Sequence, residues 1–153
     1  MRHGEAAAGA DDAARLLTER GREQVHQVAR HAAAVGLPVA EVRHSGKLRA
    51  RQTAEILAEH LAPVRGILGM GGLNPGDDPA IALAALQAAR EPLVLVGHLP
   101  HLGRLASSLL VDDPGKGIIR FSEAALACLA KDEGSWLLQW VLTPQLARPD
   151  RSA

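Results

Sequence analysis

Apolar segments of strand type alternate with segments of helical spacing along most of this chain, and few folds accommodate that order. The stretch from Pro92 to Val96 is apolar throughout, as is typical of a strand buried on both faces. The alternation predicts an α/β fold of three layers, with helices on both sides of a mostly parallel central sheet. The predicted segments are 18–35 (helix), 38–43 (strand), 48–61 (helix), 64–68 (strand), 80–90 (helix), 92–96 (strand) and 100–110 (helix).

A different pattern follows residue 124. The segments 124–131 and 135–143 flank the turn signal Asp132-Glu133-Gly134, which predicts a β-hairpin. We expect residues 1–143 to form a single domain and residues 144–153 to be a frayed C-terminal tail. In the second arm of the hairpin the large apolar residues alternate, which predicts that they face the core: Trp136, Leu138, Trp140 and Leu142.

The overall charge limits the possible partners. The 153 residues include 17 Lys and Arg against 17 Asp and Glu, a net charge of zero, which argues against nucleic-acid binding through a general basic field. Cys128 is the one cysteine, so an internal disulfide and a Cys-rich zinc site are excluded. The apolar runs are far shorter than the ~20 residues of a membrane helix, and the start shows no signal-peptide pattern. We expect a cytoplasmic monomer without nucleic-acid or membrane partners.

Two histidines occur where the chain leaves a predicted strand or begins, each beside a glycine. They lie in the sequences Arg2-His3-Gly4-Glu5 and Val96-Gly97-His98. Between them, the segment 45–53 enters a helix directly after a strand and carries Arg49. Each feature alone is more often structural than functional, but together they predict a pocket for a tetrahedral dianion at the strand ends, with one histidine as a nucleophile.

The ordered set of these motifs resembles the histidine phosphatase superfamily, also called phosphoglycerate mutase-like, and within it the small SixA branch of phosphohistidine phosphatases. The resemblance implies the phosphoglycerate mutase-like fold, with His3 as the nucleophile that forms a phosphohistidine intermediate. It further implies that Arg2, Arg49 and His98 hold the phosphoryl oxygens. Residues expected to bind substrate are Arg15, Gly4 and Ser45. The motifs that carry the resemblance are Arg2-His3-Gly4, Ser45-x-x-Leu48-Arg49-Ala50-x-Gln52-Thr53-Ala54 and Gly97-His98.

The substrate prediction depends on the carboxylates. Glu5, Asp77 and Asp78 are available, but none lies in a motif that matches a family proton donor, which favours a phosphohistidine substrate on a histidine phosphotransfer domain. One alternative is a phosphatase of small phosphate esters; another is a catalytically impaired module that binds phosphohistidine. We expect no metal and no cofactor, because no carboxylate lies at ligand spacing from His98 and His101.

One departure from the family concerns the first strand. In the family, the Arg-His-Gly motif closes an apolar strand in the middle of the sheet, whereas only Met1 precedes Arg2 here. We therefore expect an N-terminal strand that is truncated, with either a gap in the core or another segment in its place. A displaced His3 would leave the polypeptide weakly active or inactive.

Overall fold

Four helices and five strands follow one another through residues 1–148, the part of the chain that the computed structural model describes. Each predicted helix and strand is present, with boundaries that shift by a few residues. The α/β prediction is therefore confirmed. The elements are α1 (Glu19–Ala34), β1 (Glu41–His44), α2 (Leu48–Leu61), β2 (Ile67–Gly69), α3 (Pro79–Ala88), β3 (Leu93–Val96), α4 (His101–Val111), β4 (Leu126–Asp132) and β5 (Ser135–Leu142).

The central sheet is parallel, in the order β2-β1-β3. Val42 lies at its centre, paired with Ile67 on one side and Val94 on the other, and it is fully buried. The helix α1 packs against α2, and α3 packs against α4. Parallel strands joined by helices bring their carboxyl ends to one edge, so the ends of β1 and β3 deliver His44 and His98 to the same side of the molecule.

The segment 1–3 joins this sheet to the hairpin. On one side, the Met1 amino group donates to the Leu95 carbonyl (2.7 Å) and the His3 amide to the Gly97 carbonyl (3.1 Å). On the other side, the Arg2 amide donates to the Ala125 carbonyl at 3.0 Å. The segment is therefore held by backbone pairing on both sides, and His3 is not displaced.

A cavity of about 220 Å³ adjoins Met1. It lies between the β3 residues 93–95 and the β4 residues Leu126 and Leu129, and the helices α3 and α4 also contribute to its walls. The segment 1–3 bonds to residues 95 and 97 on one side and to residue 125 on the other, so it borders this space at one end only. The expected truncation of the first strand thus corresponds to a mostly apolar, partly open cavity beside Met1.

The hairpin β4–β5 forms as predicted, but the predicted alternation of buried residues in β5 is only partly correct. Leu142 is buried, whereas Leu138 is 43% exposed. A register shift between Cys128 and Leu129 pairs Leu138 with Leu129 and Trp140 with Cys128. Because neighbouring residues of β4 face opposite sides, this bulge puts Leu138 and Trp140 on opposite faces.

The C-terminal segment also differs from the expectation. Residues 144–148 form a turn in which Ala147 is buried and bonded to the Thr143 carbonyl, so this part is not a frayed end. The remainder of the predicted tail lies outside the described residues. Across residues 1–148, no helix combines the length and apolarity needed to span a membrane.

Candidate active site

His3 is buried at the centre of a group of basic side chains. Its Nδ1 lies 2.6 Å from the Gly4 carbonyl oxygen, and a carbonyl only accepts, so Nδ1 carries the proton. In the neutral ring, Nε2 is then the unprotonated nitrogen. Its lone pair accepts a hydrogen bond from the Arg49 Nε group at 3.3 Å. The geometry therefore fixes the tautomer of His3 and directs Nε2 towards a cation.

Gly4 explains how His3 is seated so closely against two helices. A Cβ atom at this position would lie 2.8 Å from both the Gly21 carbonyl oxygen and a methyl group of Val25. The Gly4 amide donates to the Thr53 hydroxyl (3.1 Å), which in turn donates to the Arg49 carbonyl (2.8 Å). Because Gly4 has no side chain, α1 and α2 can pack directly beside His3.

Arg49 comes from the first turn of α2 and is 4% exposed. Beyond its contact with His3, its Nη1 donates to the Asp12 backbone carbonyl at 2.6 Å. Its Nη2 lies 3.2 Å from the Asp12 carboxylate. These contacts hold a planar guanidinium, which suits bidentate binding of phosphate, beside His3 Nε2.

His98 and Ser45, from the ends of β3 and β1, meet on the other side of His3. The His98 Nε2 lies 2.6 Å from the Ser45 hydroxyl, and the rings of His98 and His3 have centroids 4.9 Å apart. The His98 ring is almost fully buried, and its Nδ1 has no hydrogen-bond partner within the described residues. The structure therefore brings both predicted strand-end histidines into contact.

Arg2 and Arg15 are bonded to other parts of the chain, whereas Arg49 is bonded to His3. The Arg2 Nη1 donates to the Phe121 carbonyl (3.0 Å), and its Nη2 lies 3.7 Å from the Glu123 carboxylate. The Arg15 Nε donates to the Ala7 carbonyl at 2.7 Å. Both guanidinium groups act on His3 electrostatically, so all predicted site residues lie in one region.

The environment keeps both histidines neutral near pH 7. Burial is the largest cause that lowers the pKa of His3 to about 4, and Arg49, Arg2 and Arg15 lower it further, while the Gly4 carbonyl opposes them. Burial, followed by His3, Arg49 and Lys47, lowers the pKa of His98 to about 3, and Asp12 opposes them. Burial therefore lowers these two pKa values more than the nearby cations do.

Comparison with known proteins places this site in a family. The family model of the histidine phosphatase superfamily (branch 1) matches residues 1–68. An uncharacterized protein from Picosynechococcus sp. is 39% identical over 123 residues, which cover 75% of this chain and 73% of that protein. This chain belongs to the histidine phosphatase superfamily.

Solved structures agree with the family. The protein histidine phosphatase SixA, complexed with tungstate, is similar over 97% of both chains, with a TM-score of 0.87 and 29% identity. A phosphoserine phosphatase from Entamoeba histolytica, in complex with 3-phosphoglyceric acid, covers 96% of both chains with a TM-score of 0.71; its 16% identity shows the fold alone. The predicted SixA-like branch and fold are confirmed, and the family model and the SixA structure support a phosphatase.

Two residues of this histidine phosphatase site, Asp12 and Lys47, were missed by the sequence analysis. The Asp12 carboxylate contacts Lys47 Nζ, Arg15 and Arg49. The hydrogen bond from Lys47, foremost among these contacts, holds the pKa of Asp12 well below its usual range. Asp12 lies in a loop whose Ala- and Asp-rich sequence carries no motif, so only the fold reveals that its charge meets the cations.

The backbone amides at the start of α2 have hydrogen-bond partners within the chain. The Gly46 amide donates to His44 Nδ1 (3.1 Å), the Lys47 amide to the Ser45 hydroxyl (3.4 Å), and the Leu48 amide to the Ala13 carbonyl (2.9 Å). These donors are already bonded within the chain. The expected anion pocket therefore depends on side chains such as Arg49 more than on the start of α2.

The carboxylates that the sequence offered as proton donors have other partners. Glu5 accepts a hydrogen bond from Thr18 (2.7 Å), Asp78 caps α3 and Asp77 accepts from the Asn74 amide. The carboxylates that contact the basic group are Asp12 and Glu123, each paired with an arginine.

Proposed function

We propose that this histidine phosphatase removes phosphate through a phosphohistidine intermediate on His3. The observation that supports this most strongly is the fixed tautomer, in which Nδ1–H is bonded to Gly4 and the unprotonated Nε2 accepts a hydrogen bond from Arg49. Arg49 turns from Nε2 to a phosphoryl oxygen when the substrate binds. Nε2 attacks phosphorus, the new N–P bond forms as the bond to the leaving group breaks, and the leaving group keeps the electron pair and takes a proton from water.

Hydrolysis of the intermediate completes the cycle. A water oxygen attacks phosphorus, the N–P bond breaks, and inorganic phosphate leaves while the electron pair returns to His3 Nε2. Arg49 and Arg2 compensate the charge on the phosphoryl oxygens, as this reaction chiefly requires positioning and positive charge. The dianion also raises the pKa of His98, so this ring can gain a proton and donate to an oxygen when phosphate is bound. Such charge compensation by side chains supports a metal-independent reaction.

The substrate we propose is phosphohistidine on a phosphotransfer protein. Asp12 and Glu123 are the carboxylates in contact with the basic group, and both are paired with arginine. An imidazole leaving group needs less protonation than an alkoxide does, so a site without an assigned acid suits a phosphoramidate. The description of the SixA relative as a protein histidine phosphatase supports the same class.

Glu123 gives a specific reason to consider small phosphate esters as a second candidate. Its side chain is 37% exposed and lies 3.7 Å from Arg2 at the edge of the site. It could protonate an alcohol leaving group if substrate binding draws Arg2 away and the carboxyl group gains a proton. We expect Glu123→Gln to lower ester hydrolysis about 10²-fold if it acts as this acid, and to leave phosphohistidine hydrolysis nearly unchanged.

The test compares a phosphorylated phosphotransfer domain with an aryl phosphate, using the wild type, His3→Ala and Glu123→Gln. We expect faster turnover of the phosphoprotein, with trapped phosphate that disappears in His3→Ala. Turnover of the aryl phosphate alone would favour the ester reading. Binding of the phosphoprotein without turnover would identify a binding module, and turnover of neither substrate would reject the proposal.

A further inference from the structure

A second group of histidines lies on the opposite part of α2 from the reaction site. His26 on α1 and His60 on α2 approach with 3.0 Å between Nδ1 and Nε2, and their rings are nearly perpendicular, at 84°. A Glu59 carboxylate oxygen completes the group, and the three ligand atoms lie within 4.8 Å of one another. No sequence motif marks these two histidines as a site.

The spacing of the two ring nitrogens suits a shared metal ion. Two ligands of a tetrahedral zinc ion at about 2.0–2.1 Å lie about 3.3 Å apart, close to the separation found here. Both histidines are partly exposed, which leaves a route for an ion. A neutral imidazole ring is the form that binds metals, and each of the two histidines offers one ring nitrogen to the shared position.

We propose that His26, Glu59 and His60 bind a divalent transition-metal ion of the zinc type. Two imidazoles and one carboxylate provide three ligands, and water can take the fourth position. The Glu59 carboxylate offsets part of the positive charge of the ion. The guanidinium of Arg30 lies close enough to repel the ion, so the two effects oppose each other.

The site joins two helices without entering the reaction. His60 follows Arg49 along α2 by about 16 Å at 1.5 Å per residue, so an ion here lies far from the phosphate. Since α1 and α2 are already packed together, the ligands are largely positioned before binding. An ion that binds the folded chain but not the unfolded chain raises the free energy of unfolding by mass action.

The test is a zinc titration of the full chain by calorimetry, together with thermal unfolding with and without zinc chloride. We expect one ion per chain at these residues and a higher Tm with zinc. His26→Gln and His60→Gln should each weaken binding at least tenfold, while His31→Gln, which replaces an exposed histidine of α1, should leave it unchanged. Glu59→Gln, at an exposed position, tests the third ligand without altering the packed surface.

Two results would overturn the proposal. One is wild-type protein that shows no zinc binding and no change in Tm. The other is binding that persists in both His26→Gln and His60→Gln, which would place the ion at other ligands. A cobalt titration keeps the test informative if a variant unfolds, because the visible spectrum of bound cobalt in the wild type reports imidazole ligands directly, and a spectrum without them contradicts the site.

Discussion

The two ends of the segment 1–3 differ sharply. At its downstream end, His3 is bonded through its amide, its ring and its neighbour Gly4, and basic side chains surround it. At its upstream end, Met1 buries an amino group beside an apolar cavity of about 220 Å³. The position of His3 is therefore fixed by local backbone pairing at the strand ends. It does not depend on whether the cavity beside Met1 is filled.

The largest expected effect at the downstream end of the segment, which we call the polar end, comes from Arg49→Ala. We expect turnover to fall about 10³-fold, because the loss of a preorganised cation at a phosphoryl group usually costs this much or more. The rate of aryl phosphate or phosphoprotein hydrolysis measures the effect. Arg51→Ala is the matched control, since Arg51 is exposed on the same helix and pairs with Glu55. A loss below tenfold would show that Arg49 does not act on the phosphate.

Acid affects both ends, and the direction follows from their pKa values. Burial lowers the pKa of the Met1 amino group to about 5 from 8.0, and the pKa values of His3 and His98 fall to about 4 and about 3. Between pH 8 and pH 3 the folded state therefore binds fewer protons than the unfolded state, so the free energy of unfolding falls as pH falls.

Met1 alone accounts for a loss on the order of 4 kcal/mol between pH 8 and pH 5. Urea unfolding at pH 8, 6.5 and 5 measures it. Histidines whose pKa values burial lowers also contribute, because their rings gain protons in the unfolded state around pH 6.5. The share of the amino group is therefore the part of the loss that disappears when an N-terminal extension removes the amine. Equal stability at pH 8 and 6.5 would contradict the burial of a neutral amine.

The sequence predicted most of the fold because its apolar periods are local. The helix α2 has the predicted bounds, 48–61, since both its spacing and the following Pro63 are visible in the sequence. Leu138 was placed wrongly because a bulge in the hairpin depends on pairing between strands, which the period of one strand does not show.

The site was predicted only where motifs mark it. His3, Arg49 and His98 lie in recognisable sequences, and the fold brings them together as expected. Asp12 and the pair His26–His60 were not predicted as sites, because their contacts join residues about 35 positions apart on surfaces without a motif. Such contacts depend on how a loop or two helices pack, which only the folded chain shows.

A designed extension tests the apolar end. Four residues, Val-Leu-Val-Leu, added before Met1 should continue the segment between β3 and β4 and fill the cavity. We expect a gain of about 1–2 kcal/mol, the usual range for cavity filling, or about 3–6 °C in Tm. The extension also converts the buried amine into an amide, so the loss of stability between pH 8 and 6.5 should become smaller by the share of the amino group.

A Gly-Ser-Gly-Ser extension is the control for this comparison. It converts the same amine into an amide but has no apolar side chains, so it should reduce the pH effect by the same amount without the full rise in Tm. Equal Tm values for the two extensions would show that the cavity does not accept a strand. Hydrolysis rates should stay within about twofold of the wild type in both, because His3 is held by its own backbone bonds.

The smallest expected effect concerns Asp12, whose carboxylate contacts the cations that a phosphate would contact. Asp12→Asn removes this charge but keeps the backbone carbonyl that positions Arg49. We expect inorganic phosphate to inhibit about threefold to tenfold more strongly, as for one exposed charge beside an anion site. Asp11→Asn is the control, since it makes the same charge change one residue away, where the side chain bonds only the Ala13 amide. Weaker phosphate binding in Asp12→Asn would instead mean that this carboxylate orients Lys47 and Arg49 for the substrate, and the polar end would then depend on its loop as well as on the strand ends.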